Sequence, residues 1–358
     1  MRLLSLHCRA FRSLSETEFA PGPRLNIIHG GNAQGKTTVL EAILYAATSK
    51  SHRTNLDTEL PQYGAGAFHV RIQAQRGGHG VSIEAHWLNG TKRFKVNGIP
   101  QTRLSDVLGR VNVVFFSPED IELVKGGAAS RRRFLDMEIS QIHPGYLHAL
   151  QQYRLALRQR NELLRADRPD PDLLAVWDVQ LAEHGAAIIR LRGDYVAELS
   201  RRATEAYARI AQAEPLTLVY QPDVLPAEDL GAVLAKMQAS DIKRRATQRG
   251  PHRDDLDILI AERPARSHAS QGQQKTAALA VKLAELELVN ARAGEYPVLM
   301  LDEVLAELDA HRAEHLLDAI PLEVQCILTT TEQQRRPGRF ESDCAYFRIE
   351  GGRLEEEE

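Results

Sequence analysis

The sequence predicts an α/β fold: a mixed sheet with helices, joined to an antiparallel β subdomain and interrupted by an inserted, mostly α-helical domain. Three observations carry this. Within the first hundred residues, several segments alternate apolar and polar side chains with period two between glycine turns. Residues 119–248 change to helix-forming composition with apolar residues three and four apart. Residues 249–358 return to short apolar runs around one long helix. The flanking segments, 1–118 and 249–358, are therefore read as one domain, with 119–248 inserted into it, and a chain of 358 residues has room for both.

Each element has its own local signal. In "LLSLHCRA", Leu4, Leu6, Cys8 and Ala10 alternate with Ser5, His7 and Arg9. Phe68, Val70, Ile72 and Ala74 alternate with polar partners, and after the turn "RGGHG" the pattern repeats at Val81, Ile83, Ala85 and Trp87. "LNG" then turns the chain into "KRFKV", so a half-buried antiparallel meander is expected. "VNVVFF", 111–116, suits a strand buried on both faces. Beyond residue 129, Phe134, Leu150, Tyr153 and Leu157 mark helix, and "DRPDPD" breaks it. A second helical stretch covers 173–213, and a third carries Leu230, Val233, Leu234 and Met237. Then come a strand at "DLDILIA", a long helix with Leu279, Leu283 and Leu286, and buried strands at "PVLMLDE" and "VQCILTT".

Composition narrows the function classes. Hydrophobic residues at 43% and charged residues at 26% describe an ordinary globular protein. No apolar run approaches the ~18 residues of a membrane span, and "MRLLSLHCRAFRS" has its arginines too closely spaced for a signal peptide. Cys8, Cys326 and Cys344 are odd in number and scattered, which excludes a zinc ribbon, disfavours a disulfide framework and points to the cytoplasm. The net charge of −3 hides basic clusters at Arg131, Arg132 and Arg133 and at Lys243, Arg244 and Arg245. The acidic run Glu355–Glu358 reads as a solvated terminus.

"GGNAQGKT" fits G-x-x-x-x-G-K-[ST], with a strand before it and a helix after. Gly30, Gly31 and Gly35 permit a loop whose backbone N–H groups, together with those of Asn32, Ala33, Gln34 and Thr38, turn toward phosphate oxygens. The following helix aims its positive end at the same place. Lys36 reaches the β- and γ-phosphates and the Thr37 hydroxyl serves Mg²⁺. Such a loop holds a nucleoside triphosphate.

Distal segments refine this. "PVLMLDE" is an apolar strand ending in Asp302, placed to support Mg²⁺, and Glu303, placed to polarise an attacking water. Asp309 matches the aspartate that touches across dimers of ABC-type ATPases. "SQGQQK" combines Ser270, Gly272 and Gln273 at a helix start, which presents donors to a γ-phosphate held by a second subunit. An ATP-driven homodimer follows from that arrangement.

Together these residues resemble the RecF family of recombinational repair proteins, relatives of the SMC-type ATPases, over nearly the whole chain. The resemblance rests on "NAQGKTTVLEAI", "KSHR", "PEDIELVKGGAASRRRFLD", "RGPHRDDL", "SQGQQK" and "LMLDEVLAELDAHRAEHL". Ala128 stands where the family usually has proline, and "LTTTEQQ" offers Thr329 to Thr331 in place of a switch histidine. "SPED" occupies the position of a glutamine loop without a glutamine. The resemblance implies a weak ATPase that dimerises on ATP and binds double-stranded DNA and single-strand/double-strand junctions without sequence preference. It also implies work with RecR and RecO to load RecA at gaps, with slow hydrolysis resetting the dimer. Arg131 to Arg133 and Lys243 to Arg245 are the DNA-contact candidates. An ATP-dependent interaction switch and a transporter nucleotide-binding subunit are the alternatives. "GPHRDDL" is read as having a structural or interface role rather than forming a metal site from His252, Asp254 and Asp255, because the adjacent aspartates cannot easily face one ion.

Overall fold

The computed structural model describes residues 1–211, 214–308, 310–331 and 343–357. In chain order these form β1 (Arg2–Phe11), β2 (Leu14–Phe19), β3 (Leu25–His29), α1 (Lys36–Thr48), β4 (Ala67–Arg76), β5 (His79–Leu88), β6 (Thr91–Val96), β7 (Ile99–Gln101) and β8 (Val113–Phe116). There follow α2 (Glu122–Lys125), α3 (Ala128–Ile142), α4 (Pro144–Leu164), α5 (Pro171–Ala211), β9 (Leu216–Gln221), α6 (Leu230–Arg244), β10 (Asp255–Ile260), β11 (Arg263–Pro264) and α7 (Ala265–His268). The chain ends with α8 (Gln271–Ala293), β12 (Val298–Asp302), α9 (Ala310–Ala319), β13 (Cys326–Thr330), β14 (Cys344–Glu350) and β15 (Arg353–Glu357).

These elements divide into two compact units: Met1–Asp120, Arg209–Gln212 and Leu279–Glu358 in one, Ile121–Ala208 and Ala213–Ala278 in the other. The division departs from the boundary expected at 248/249. Residues 249–278 go with the second unit because β10 pairs antiparallel with β9, residue for residue from Asp255↔Gln221 to Ile260↔Leu216.

The first unit has two sheets. One runs β15-β14-β3-β13-β12-β8; its inner strands are parallel, and β15 closes one edge antiparallel to β14. β12, β13 and β8 are buried at every residue, as strands covered on both faces must be. The other sheet is the expected meander, order β2-β1-β4-β5-β6-β7. Its hairpins turn at Gly77–Gly78, Asn89–Gly90 and Asn97–Gly98, where both central residues take positive φ, the twist that two-residue hairpins require. α1 touches β1, β4 and β5 of this sheet and β8, β12 and β13 of the other. Twelve of its residues are therefore buried, and it is apolar nearly all round. The aromatic core beneath it includes Tyr45, Phe68 and Phe11, with edge-to-face contacts at 5.4 Å and 5.1 Å.

One local expectation is corrected here and another is extended. In β1 the inward residues are Leu3, Leu6, Cys8 and Phe11, while Leu4 is exposed. A register shift between Leu3 and Ser5 and the positive φ of Ala10 break the simple alternation at both ends. In the acidic run Glu355 and Glu356 are exposed, as a solvated segment requires, but they also belong to a strand. Glu355 to Glu357 lie in β15, where Glu357 accepts from His29 Nε2 at 2.9 Å, and their charge guards a sheet edge.

The second unit contains α3, α4, α5, α6 and the sheet β11-β10-β9; β10 is the strand expected at "DLDILIA", whereas β9 falls inside the segment 119–248 expected to be mostly helical. It is organised around two buried arginines. Arg160, with no exposed surface, holds Asp178 at 2.6 Å, Asp241 at 2.7 Å and Thr247 at 2.9 Å. Arg192 reaches Asp254 at 2.7 Å, Asp136 at 2.8 Å, the Tyr146 hydroxyl and the Pro251 carbonyl. Asp254 also accepts from the Tyr220 hydroxyl and from Asp223 N–H. His252 meets Tyr153 Oη and Thr247 O on its two ring nitrogens. "GPHRDDL" is thus a structural clamp, as its adjacent aspartates suggested: Asp254 and Asp255 serve different arginines.

Candidate active site

The phosphate loop leaves β3 at His29 and enters α1 at Lys36, with Gly35 as N-cap at φ 112. No side chain caps α1, so its first N–H groups stay available to an anion, backed by the helix dipole. The loop is braced by the turn between β14 and β15. Gly351 N–H donates to Gln34 Oε1 at 2.7 Å and Gly352 N–H to Gln34 O at 3.0 Å. Gly30 is required by close approach, since a Cβ there would lie 2.4 Å from the Ile349 carbonyl. Asn32 and Ala33 form the exposed crest, and Ala33 takes φ 62. Thr38 is buried behind the loop, with Ser13 Oγ donating to its hydroxyl.

Lys36 is only 3% exposed, and its ammonium curls back over the loop. It donates to the carbonyls of Gly30 at 2.8 Å and Gly31 at 3.0 Å and pairs with Glu303 Oε1 at 3.1 Å. Thr37 Oγ1 donates to Asp302 Oδ1 at 3.0 Å, joining the loop to the end of β12. Thr329, at the end of β13, donates to the same oxygen at 2.6 Å and accepts from Glu303 N–H at 3.0 Å. Burial pushes the Asp302 carboxyl above its ordinary range, opposed by the Thr329 and Thr37 hydrogen bonds. Glu303 holds a left-handed backbone, φ 52, and its side chain remains 36% exposed. The Asp302 oxygen with its two hydroxyls suits a hard divalent cation, and the Lys36 ammonium suits a polyphosphate.

These groups line a cavity of about 850 Å³. Sequence reading missed several of its walls, among them Arg12 and Tyr63. Arg12 carries its charge to the rim by pairing with buried Glu41 at 3.0 Å, which Arg53 also approaches at 3.6 Å. His52, from "KSHR", lies in the wall with its ring 4.4 Å from that of Phe115, and burial lowers its pKa. Glu119, from "SPED", is there too. Nothing in spacing alone pointed to Arg12 or Tyr63.

The remaining predicted residues lie elsewhere or differ. Ser270, Gly272 and Gln273 belong to the second unit. Ser270 is exposed and caps α8 reciprocally: Gln273 N–H donates to its Oγ at 3.2 Å, while its own N–H donates to Gln273 Oε1 at 2.8 Å. Asp309 lies outside the described residues. Among the DNA-contact candidates, Arg131 is corrected: it is buried, bidentate to Asp255 at 2.7 and 2.9 Å, and bound to Gly126 O. Arg132 is half-buried and donates to Asp254 O at 2.7 Å. The charge of Arg131 is neutralised inside the fold. Arg133, Lys243, Arg244 and Arg245 are exposed, the last three at the C-terminal end of α6, where the helix dipole favours cations.

Known proteins resemble this chain in sequence or in fold. A protein-family model described as an AAA domain matches residues 5–161. The DNA replication and repair protein RecF of Symbiobacterium thermophilum is 40% identical, covering 98% of this chain and 97% of its own. That of Exiguobacterium sp. is 40% identical over the whole of both chains. A solved structure of the recombination mediator protein RecF with ATP, in the RecFOR pathway, superposes with a TM-score of 0.92 at 35% identity over 100% of this chain and 98% of that one. The SMC head bound to the winged-helix domain of ScpA shares the fold alone, with a TM-score of 0.59 at 16% identity over 100% and 97% of the two chains. With its phosphate loop, paired carboxylates and full-length likeness, the chain belongs to the RecF family of DNA replication and repair proteins.

Proposed function

We propose that this protein binds ATP in the cavity over Gly30–Thr38 and uses it to dimerise on DNA at gaps during recombinational repair. The observation that carries the reading is the pairing of loop with strand end at two adjacent points, Thr37 with Asp302 at 3.0 Å and Lys36 with Glu303 at 3.1 Å. Lys36 and the N-terminal N–H groups of α1 orient the triphosphate. Thr37 and Asp302 would hold Mg²⁺, whose charge offsets that of the β- and γ-phosphates. Glu303, accessible and one residue beyond, takes the proton of an attacking water. Thr329 fixes both carboxylates, the backbone of one and the side chain of the other.

Ser270, Gly272 and Gln273 of a second copy supply donors to the γ-phosphate, so ATP joins two subunits and slow hydrolysis releases them. The dimer clamps double-stranded DNA near single-strand gaps without reading bases. With RecR and RecO it promotes RecA loading in the cytoplasm. Among the described residues no helix is long and apolar enough to cross a membrane.

Sedimentation with ATP, with and without duplex DNA, tests this directly. Wild type should dimerise on ATP and bind duplex as a dimer; Ser270→Arg should bind ATP as a monomer, and Lys36→Met should do neither. A nucleotide-loaded protein that stays monomeric at every workable concentration would overturn the clamp.

A further inference from the structure

The antiparallel sheet carries a cluster the nucleotide site does not use. His69 on β4 and His86 on β5 are directly paired across the strands, and Glu84 lies on the same face two residues from His86. Their ligand atoms lie within 4.8 Å of one another, the only such group of metal-ligating side chains among the described residues. Glu84 Oε2 is 3.4 Å from His86 Nε2 and 3.8 Å from His69 Nε2. The two imidazoles stack with centroids 4.2 Å apart.

Three features of this cluster fit a bound ion. A tetrahedral ion with bonds of ~2.0–2.1 Å sets neighbouring ligand atoms ~3.3–3.4 Å apart, close to the spacings observed. Glu84 faces Arg71 and Lys95 in the cross-strand register, yet its carboxylate turns to the two imidazole rings. His69 Nε2 is shielded from solvent and has no hydrogen-bond partner, whereas His86 is 40% exposed and leaves an entry path.

We propose that His69, Glu84 and His86 form a binding site for a borderline divalent transition metal of the Zn²⁺ class, with water completing the coordination. Two imidazoles and one carboxylate favour such an ion over Mg²⁺, which prefers oxygen. It would clip β4 to β5 on the outer face of the sheet, opposite the side that covers α1.

The test is Zn²⁺ titration of the untagged full-length protein by calorimetry, in excess Mg²⁺ so that oxygen sites are filled. Wild type should bind one Zn²⁺ per chain. Loss of an outer-shell partner alone costs about 10–100-fold in metal affinity, so His86→Ala and Glu84→Gln should each lose at least as much. Both residues are at or near the surface, and circular dichroism should show the fold unchanged. Co²⁺ should give the visible absorption of a tetrahedral site in wild type and not in His86→Ala. Zn²⁺ binding equal in wild type and both variants would place the ion elsewhere, for instance on a thiol, and overturn the assignment. So would the absence of Zn²⁺ binding by wild type.

Discussion

Glu303→Gln should tighten ATP binding while it slows hydrolysis, and the size of the first effect follows from the geometry. The Lys36 ammonium is committed to Glu303 at 3.1 Å, and the phosphates of ATP must compete for it. At an effective dielectric near 20 the gross attraction at that distance is about 5 kcal/mol. Most of it is cancelled by solvation, because Glu303 is 36% exposed, and the net value of such a pair is about 1 kcal/mol. Releasing Lys36 should therefore lower the Kd for ATP about fivefold. Losing the base should slow single-turnover hydrolysis by about 10²–10⁴. Calorimetry with ATP in Mg²⁺ and a quenched single-turnover assay measure the two effects on one preparation. ATP affinity equal to or weaker than wild type, with hydrolysis intact, would refute both the competition for Lys36 and the role of Glu303.

The remaining predictions concern the surroundings of that pair. Burial raises the Asp302 carboxyl above its unfolded pKa, so its contribution to stability is present at low pH and lost as pH rises through the folded value. Asp302→Asn, which keeps an oxygen for both threonines, should raise the melting temperature of the ATP-free protein at pH 7 but not near about pH 3, while weakening Mg²⁺-dependent ATP binding; an equal shift at both pH values would count against it. Arg160→Leu strands Asp178 and Asp241 in the interior and should cost about 3–5 kcal/mol in urea unfolding; a cost below about 1 kcal/mol would mean the pair is not desolvated. Replacing Lys243 and Arg244 together by Glu should weaken duplex binding and flatten its salt dependence by about 0.9 per lost phosphate contact. Arg131→Leu should instead lower stability and leave that slope unchanged, since Arg131 is held by Asp255.

The phosphate loop and the Asp302–Glu303 pair could be read from sequence because their chemistry is local: a strand, a turn of fixed residue types and a helix, or an apolar strand ending in carboxylates. Residues assembled from distant segments could not. Arg12 and Tyr63 enter the cavity through tertiary placement with no spacing signal. Thr329 stood as one of three candidate threonines, and only its bonds to Asp302 and Glu303 single it out. Arg131 illustrates the opposite error. A run of three arginines reads as a phosphate-binding surface until the fold brings Asp255, 124 residues away, against the first of them. β9 is unmarked within a helix-rich segment, because apolar Val219 stands where alternation with Leu218 and Tyr220 would need a polar residue. β14 and β15 were overlooked because charge and paired glycines masked an edge hairpin.

That hairpin sets the order in which the protein can mature on the ribosome. β3, which delivers the phosphate loop, takes both of its neighbours, β13 and β14, from segments about three hundred residues downstream, and Gln34 is fastened by Gly351 and Gly352. A nascent chain can display Gly30–Thr38 early in synthesis, yet it cannot shape them until residues 343–357 have emerged. Before that stage the loop stands without its bracing from Gly351 and Gly352.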